Sequence, residues 1–118
     1  MKPRSAKNKG KRLQNQLRDV LLEISSPTLE PDDIRSTIMG ESGTDLKLSP
    51  AAKRIFPYSF ECKNQEKLNI WDALKQAEEN VQPNTVPALV FTRNHTPTYV
   101  TISLEHFLSL IKPNPTVD

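Results

Sequence analysis

Asp45, Glu61 and Lys63 are the side chains of this sequence whose types and spacing suit chemistry on a phosphate ester. Thr44-Asp45-Leu46-Lys47-Leu48 alternates polar and apolar residues, as a half-buried strand does, and so does Tyr58-Ser59-Phe60-Glu61-Cys62-Lys63. If Phe60 and Cys62 point into the core, then Ser59, Glu61 and Lys63 share the opposite face. Two carboxylates on adjacent strands can hold a hard divalent cation, with a backbone carbonyl and water completing an oxygen shell. Mg²⁺ held there (Mn²⁺ would substitute) polarises a phosphate oxygen and lowers the pKa of an attacking water. A lysine two positions after the second acid emerges on the same strand face. It can orient or deprotonate that water, or offset charge that develops on the phosphorane.

An acid-x-Lys triplet is a weak signal alone, since a chain of this composition holds about one by chance. Asp45-Leu46-Lys47 is a second example. Its upstream acid would have to be Asp32 or Asp33, which read as a helix start rather than a neighbouring strand, and on that ground it is set aside. The other reactive types read as structural. Cys62 falls on the core side with no histidine near it in sequence, so it reads as a packed thiol. His95 in a turn and His106 near the start of the last helix read as surface residues, and Trp71 reads as a core anchor rather than a base-stacking platform. Gln76 reads as a solvated amide. Ser42 and Gly43 feed Asp45 directly and are expected to present backbone amides to a phosphate.

The elements that must position these residues follow from periodicity. Leu13, Leu17, Val20, Leu21 and Ile24 recur on one helix face, and Ser25-Ser26-Pro27 ends that helix. Glu30-Pro31-Asp32-Asp33 predicts a second, short helix ending by Gly40, with proline in its first turn and acids at its positive end. Gly40 to Gly43 is a loop. Ser49-Pro50 caps a brief helix through Ile55, stopped by Pro57. A further helix covers about Ile70 to Asn80, with Ile70, Leu74, Ala77 and Val81 as its buried stripe and Trp71 beside it. Ala88-Leu89-Val90-Phe91 is a nearly continuous apolar run, the mark of a central strand covered on both faces. Thr98 to Ser103 is another strand, and Glu105 to Ile111 a short closing helix. The order predicts an α/β fold, a small mixed β-sheet flanked by helices.

At 118 residues, 36% of them hydrophobic, the chain has room for one modest core. A single cysteine leaves no internal disulfide and too few thiols for a cysteine zinc site. The sequence has neither an apolar run near membrane-span length nor the apolar stretch of a secretion signal, which suits a cytoplasmic protein. The net charge of +2 is unevenly placed. Lys2, Arg4, Lys7, Lys9, Lys11 and Arg12 put six positive charges in the first twelve residues, and the remainder carries ten basic against fourteen acidic side chains. A basic arm over 1–12, a folded domain over 13–111 and a proline-rich tail over 112–118 are therefore expected. The arm suits a phosphate backbone, with Lys7, Lys9, Lys11, Arg12 and Arg18 tracking it.

The pieces Lys9-Gly10, Gly40-Glu41-Ser42-Gly43-Thr44-Asp45-Leu46, Phe60-Glu61-Cys62-Lys63, the Trp71–Ala77 helix and Ala88-Leu89-Val90-Phe91 together resemble the PD-(D/E)xK nuclease superfamily. The likeness is nearest to the archaeal-type Holliday junction resolvases and related small phage endonucleases, and spans roughly residues 8–103. It implies a restriction-endonuclease-like fold, metal binding by Asp45 and Glu61 with help from the Cys62 carbonyl, and catalysis by Lys63. It also implies a homodimer acting on branched, junction-like DNA in the cytoplasm, the host's if the protein is phage-encoded. The family's first-helix glutamate is Gln14 here, a poorer metal ligand that can still hydrogen-bond a metal-bound water, and Glu23 or Glu41 is a candidate substitute. The segment Ser49–Phe56 also lengthens a connection that is often a tight hairpin in relatives. Two other readings stand beside the nuclease: a non-catalytic nucleic-acid-binding protein using the same basic arm, and a protein-interaction domain.

Overall fold

A computed structural model describes residues 3–38 and 41–113, with side chains described from Lys7 onward. Among these residues the chain is mixed α/β, with four helices and two small sheets. Helix α1 (Pro3–Ile24) takes in the described part of the basic segment as its first turns. A single 3-10 turn (Pro31–Asp33) leads into β1 (Ile34–Ser36), which pairs antiparallel with β2 (Leu46–Leu48). Then come α2 (Pro50–Ile55), β3 (Tyr58–Asn64), α3 (Ile70–Glu79), β4 (Val86–Thr92), β5 (Tyr99–Thr101) and α4 (Leu104–Ile111). β3 and β4 are parallel, joined by the α3 crossover, and β5 returns antiparallel on the far side of β4.

Local chemistry explains most boundaries. Ser49 caps α2 by accepting from the Ala52 N–H, with Pro50 at the first helical position. Asn69 caps α3 in the same way through the Asp72 N–H, and Ser103 caps α4 through the His106 N–H. At the end of α1 the Ser25 N–H and hydroxyl both donate to the Leu21 carbonyl, at 3.1 and 2.8 Å, closing the last turn.

The helix expected from Asp32 onward is instead one 3-10 turn followed by β1. The start signal is genuine: around Pro31, Asp33 Oδ2 accepts from the Glu30 N–H at 2.7 Å and the Asp33 N–H donates to the Glu30 carbonyl at 2.9 Å. It is outcompeted because Ile34, Arg35 and Ser36 alternate buried, exposed, buried and pair with Leu48, Lys47 and Leu46. Ile34 and Leu46 are among the most completely buried side chains of the molecule, each contributing about 1.5–3 kcal/mol by burial. The α1 stripe also narrows. Leu13 and Leu21 are buried and Leu17 is partly so, whereas Val20 and Ile24 face outward. Its main packing partners are β3 and β1, so the face it must bury is slender.

Both faces of the three-stranded sheet are covered over its centre. Phe60, Cys62, Ala88 and Val90 meet the core under α1, while Ser59, Glu61 and Leu89 on the other face are equally buried. Ser59 and Glu61 do lie on the face opposite Phe60 and Cys62, but the half-buried strand that the alternation predicts is instead covered on both faces. α3 lies over the Glu61 face through Ala73 and Ala77, whose small side chains permit close approach. The expected stripe of Ile70, Leu74, Ala77 and Val81 shifts accordingly: Ile70 and Leu74 are half-buried and Val81 is exposed. Trp71 lies on the outer side of α3 and is 80% exposed, so it is no core anchor. α4 is docked in part by the Tyr58 hydroxyl, 2.7 Å from His106 Nε2, which makes His106 half-buried rather than a free surface residue. No described helix is long and apolar enough to cross a membrane.

Candidate active site

Asp45 reaches β3 from the last residue before β2. Its N–H donates to the Phe60 carbonyl at 3.0 Å, and its Oδ2 accepts from the Cys62 N–H at 2.6 Å. This pair of bonds clips the ribbon to the free edge of β3 and sets the Asp45 carboxylate beside Glu61. Leu46, the next residue, is buried and anchors the clip from the core side. Phe60 and Cys62 thus direct their backbone polar groups away from β4. In a strand a residue's carbonyl points to the same side as its own N–H, so the Cys62 carbonyl is directed to the edge where Asp45 sits.

Both acids are perturbed by burial and by each other. Burial raises the Asp45 carboxyl above its ordinary value, opposed by the Cys62 N–H bond and by the positive charge of Lys63. Glu61 is pushed up to about 7, first by burial and then by the negative charge of Asp45. Lys63 and a 3.3 Å hydrogen bond from Asn80 Nδ2 act in the opposite direction. A protonated Glu61 can also donate to Asp45, a contact that lowers Asp45 and raises Glu61. The two carboxyls are therefore a coupled pair that favours retaining one proton near neutrality when no cation is present. The Cys62 thiol is pushed up by burial and by both acids, so it is a packed, unreactive group.

Gln14 sits against the other side of this clip. It is buried, and its Nε2 lies 2.7 Å from the Asp45 carbonyl and 2.7 Å from Ser36 Oγ, with Thr37 O and Oγ1 at 3.2 and 3.1 Å. Its amide nitrogen holds together the three strands of chain that meet here, as a carboxylate could not. Lys11, one turn earlier, donates to Ser36 Oγ and to the Thr37 carbonyl, and its charge reaches Asp45. Lys7, Gly10, Lys11 and Gln14 recur at the three- and four-residue spacing of one helix face. Lys7 and Gly10 line a groove of about 240 Å³ with Cys62, Lys63, Asn64 and Gln65. A basic stripe thus leads along α1 into the site.

The remaining sequence candidates distribute unevenly. Lys9 is buried, its Nζ 3.5 Å from Glu66 Oε2, so it braces α1 against the loop after β3 instead of tracking solvent. Arg12 is exposed, and Arg18 is held by Asp19 at 2.9 Å and Asn15 at 3.4 Å. Ser42 and Gly43 form the turn before Asp45. Gly43 has φ +96°, and a Cβ there would come within 2.9 Å of Lys47 Nζ, which donates to the Ser42 carbonyl. Gly40, the start of that loop, lies outside the described residues.

Neither substitute for the missing helix acid is free for a metal. Glu41 is bound by Arg35 at 3.1 Å and by the Ile38 N–H at 2.8 Å, and Arg35 leads the contacts that hold its carboxyl low. Glu23 is exposed, nine residues along α1 from Gln14, or about 14 Å of helix rise. The competing triplet at Asp45–Lys47 also fails, though for a different reason than helix placement. Asp33 borders β1, but Ser49 Oγ at 2.6 Å and the Glu30 N–H at 2.7 Å already occupy its carboxylate.

Asn80 was not legible as a site residue. It closes α3 as an ordinary C-terminal residue, and only the crossover geometry carries its amide to Glu61. As a donor set, two carboxylates and a strand-edge carbonyl offer oxygen alone, which fits Mg²⁺, an ion that keeps several of its waters. No cluster of three or more histidine, cysteine or acidic ligands occurs among the described residues. The chain matches no protein-family model, no curated protein and no solved structure.

Proposed function

We propose that this protein is a metal-dependent DNA endonuclease that hydrolyses phosphodiester bonds at the Asp45–Glu61–Lys63 site. The observation that carries the reading is the clip at the β3 edge. It holds one acid against another in a largely desolvated position, at a cost to the empty protein that a bound divalent cation would relieve.

Asp45, Glu61 and the Cys62 carbonyl would hold the ion. When bound, Mg²⁺ supplies a Lewis acid for a phosphate oxygen and a lowered pKa for the attacking water. The protein's own residues do the rest. Gln14 and the Cys62 N–H fix Asp45 from both sides, and Asn80 orients Glu61. Lys63 follows Glu61 on the same strand face and sets a positive charge where the phosphorane gains negative charge. Lys7 and Lys11 carry the flanking phosphates toward the groove beside Lys63.

The sequence carries no separate base-reading module, so recognition of DNA shape, such as a branch or nick, is the economical mode. Paired sites in a homodimer would serve two strands of a junction. The test is cleavage of four-way, nicked, linear and single-stranded DNAs in Mg²⁺ or EDTA, with wild type beside Lys63→Ala. Metal-dependent cutting that disappears in the variant is expected, with preference for branched DNA. If folded protein cuts none of these in Mg²⁺ or Mn²⁺ yet binds them, the basic stripe of α1 belongs to a non-catalytic binding protein.

A further inference from the structure

β3, β4 and β5 carry one side-chain row that leads away from the candidate active site. Lys63 is the register partner of Phe91, and Phe91 that of Tyr99. Side chains of register partners leave the same face of a sheet, so the row runs from the ammonium of Lys63 to two aromatic rings at the sheet edge. Those rings are stacked, with centroids 5.9 Å apart and planes inclined by 28°. Tyr99 is 54% exposed.

The two rings line a cavity of about 580 Å³, together with Ile70 at the start of α3 and Leu68 before it. Its volume falls within the ~300–1,000 Å³ typical of small-ligand sites. Its cationic lining is Lys67 and Arg93, both exposed. The one acid of the lining, Glu66, is occupied by the Asn94 N–H at 2.7 Å and by Lys9. Gln65 lines both this cavity and the groove that holds Lys63, so the two spaces adjoin.

An aromatic surface with a basic lining, next to a phosphodiester site, matches the chemistry of one ligand: a nucleotide with its base unstacked. The flat base would lie on Tyr99 and Phe91, and Arg93 and Lys67 would meet its phosphate. We infer that this cavity receives an unpaired nucleotide of the DNA, adjoining the phosphate held at Lys63, and so selects substrates with a frayed or branched end. The inference rests on the endonuclease reading for the position of the scissile phosphate, but its binding component does not require cleavage.

The experiment uses nicked duplex DNA with 2-aminopurine in a short unpaired flap, beside fully paired duplex, in EDTA so that nothing is cut. Stacking on the rings should quench the 2-aminopurine, and the flap should bind about tenfold tighter than the paired duplex. Tyr99→Ala should abolish both effects and Tyr99→Phe should keep both. Arg93→Ala, which leaves the rings in place, should weaken flap binding while a saturated flap stays quenched. Quenching that is absent in wild type, or that persists in Tyr99→Ala, overturns the inference, whether or not Mg²⁺ cleavage occurs. Ring-dependent quenching without cleavage in Mg²⁺ would uphold the cavity and sink the nuclease.

Discussion

Replacing Glu61 by glutamine should stabilise the metal-free protein while destroying its activity. Glu61 is 2% exposed and stands next to Asp45, and its carboxyl is raised from 4.5 to about 7. A group whose folded value lies above its unfolded value contributes stability that is full below the unfolded value. That stability is lost as pH rises through the folded value. For Glu61 the loss runs from about pH 4.5 to about pH 7, and the size of the raise corresponds to about 3 kcal/mol. Above that window the empty protein holds two neighbouring carboxylates in a desolvated corner. Glutamine keeps the shape, carries no charge and can donate permanently to Asp45. At about pH 8 without metal, Glu61→Gln should therefore melt higher than wild type, by on the order of 10 °C for a domain of this size. Near pH 5 the two should converge. Mg²⁺ should close the gap from the other side, raising the wild-type melting temperature at about pH 8 and leaving Glu61→Gln unmoved. Thermal melts by circular dichroism across this pH range, in EDTA and in Mg²⁺, read all three effects. A wild-type melting temperature independent of pH, or a variant less stable than wild type at about pH 8 in EDTA, would refute the argument that the acids strain each other.

Two further substitutions probe the frame around the site. Gln14→Glu restores the acid found in the resembled family, but it removes the donor that bonds the Asp45 carbonyl and Ser36 Oγ. It should lower stability by about 1–3 kcal/mol in urea denaturation without metal, and an unchanged midpoint would show that the amide bonds carry no load. Gly10→Ala should raise stability by about 1 kcal/mol, since the position is helical and a Cβ there would meet nothing within 4 Å. A lower melting temperature in that variant would contradict the open surroundings of Gly10.

The local elements were readable because their signals are carried by adjacent residues. The caps at Ser49 and near Pro31, the stop at Ser25–Pro27, the alternation through Phe60 and Cys62, and the apolar run of β4 each depend on a few consecutive side chains. The pairing of Glu61 with Lys63 belongs to this class, because two residues on one strand share a face by the period of the strand itself. What tertiary structure decided is everything that joins distant segments. Ile34–Ser36 became a strand against a true helix-start signal because Leu46–Leu48 offered it a ladder and a core. Trp71 faces outward because α3 must approach the sheet on its alanines. Asp45 stands beside Glu61 through one backbone bond and one carboxylate bond to β3, with Gln14 and Asn80 arriving from two helices. Nothing in the sequence near Asn80 announces its partner, and Gln14 is brought to the site in the sequence only by the family resemblance, not by its neighbours. Sequence periodicity reports which face a residue occupies, whereas the desolvation and mutual repulsion that characterise this site arise only when separate segments close around the same few ångströms.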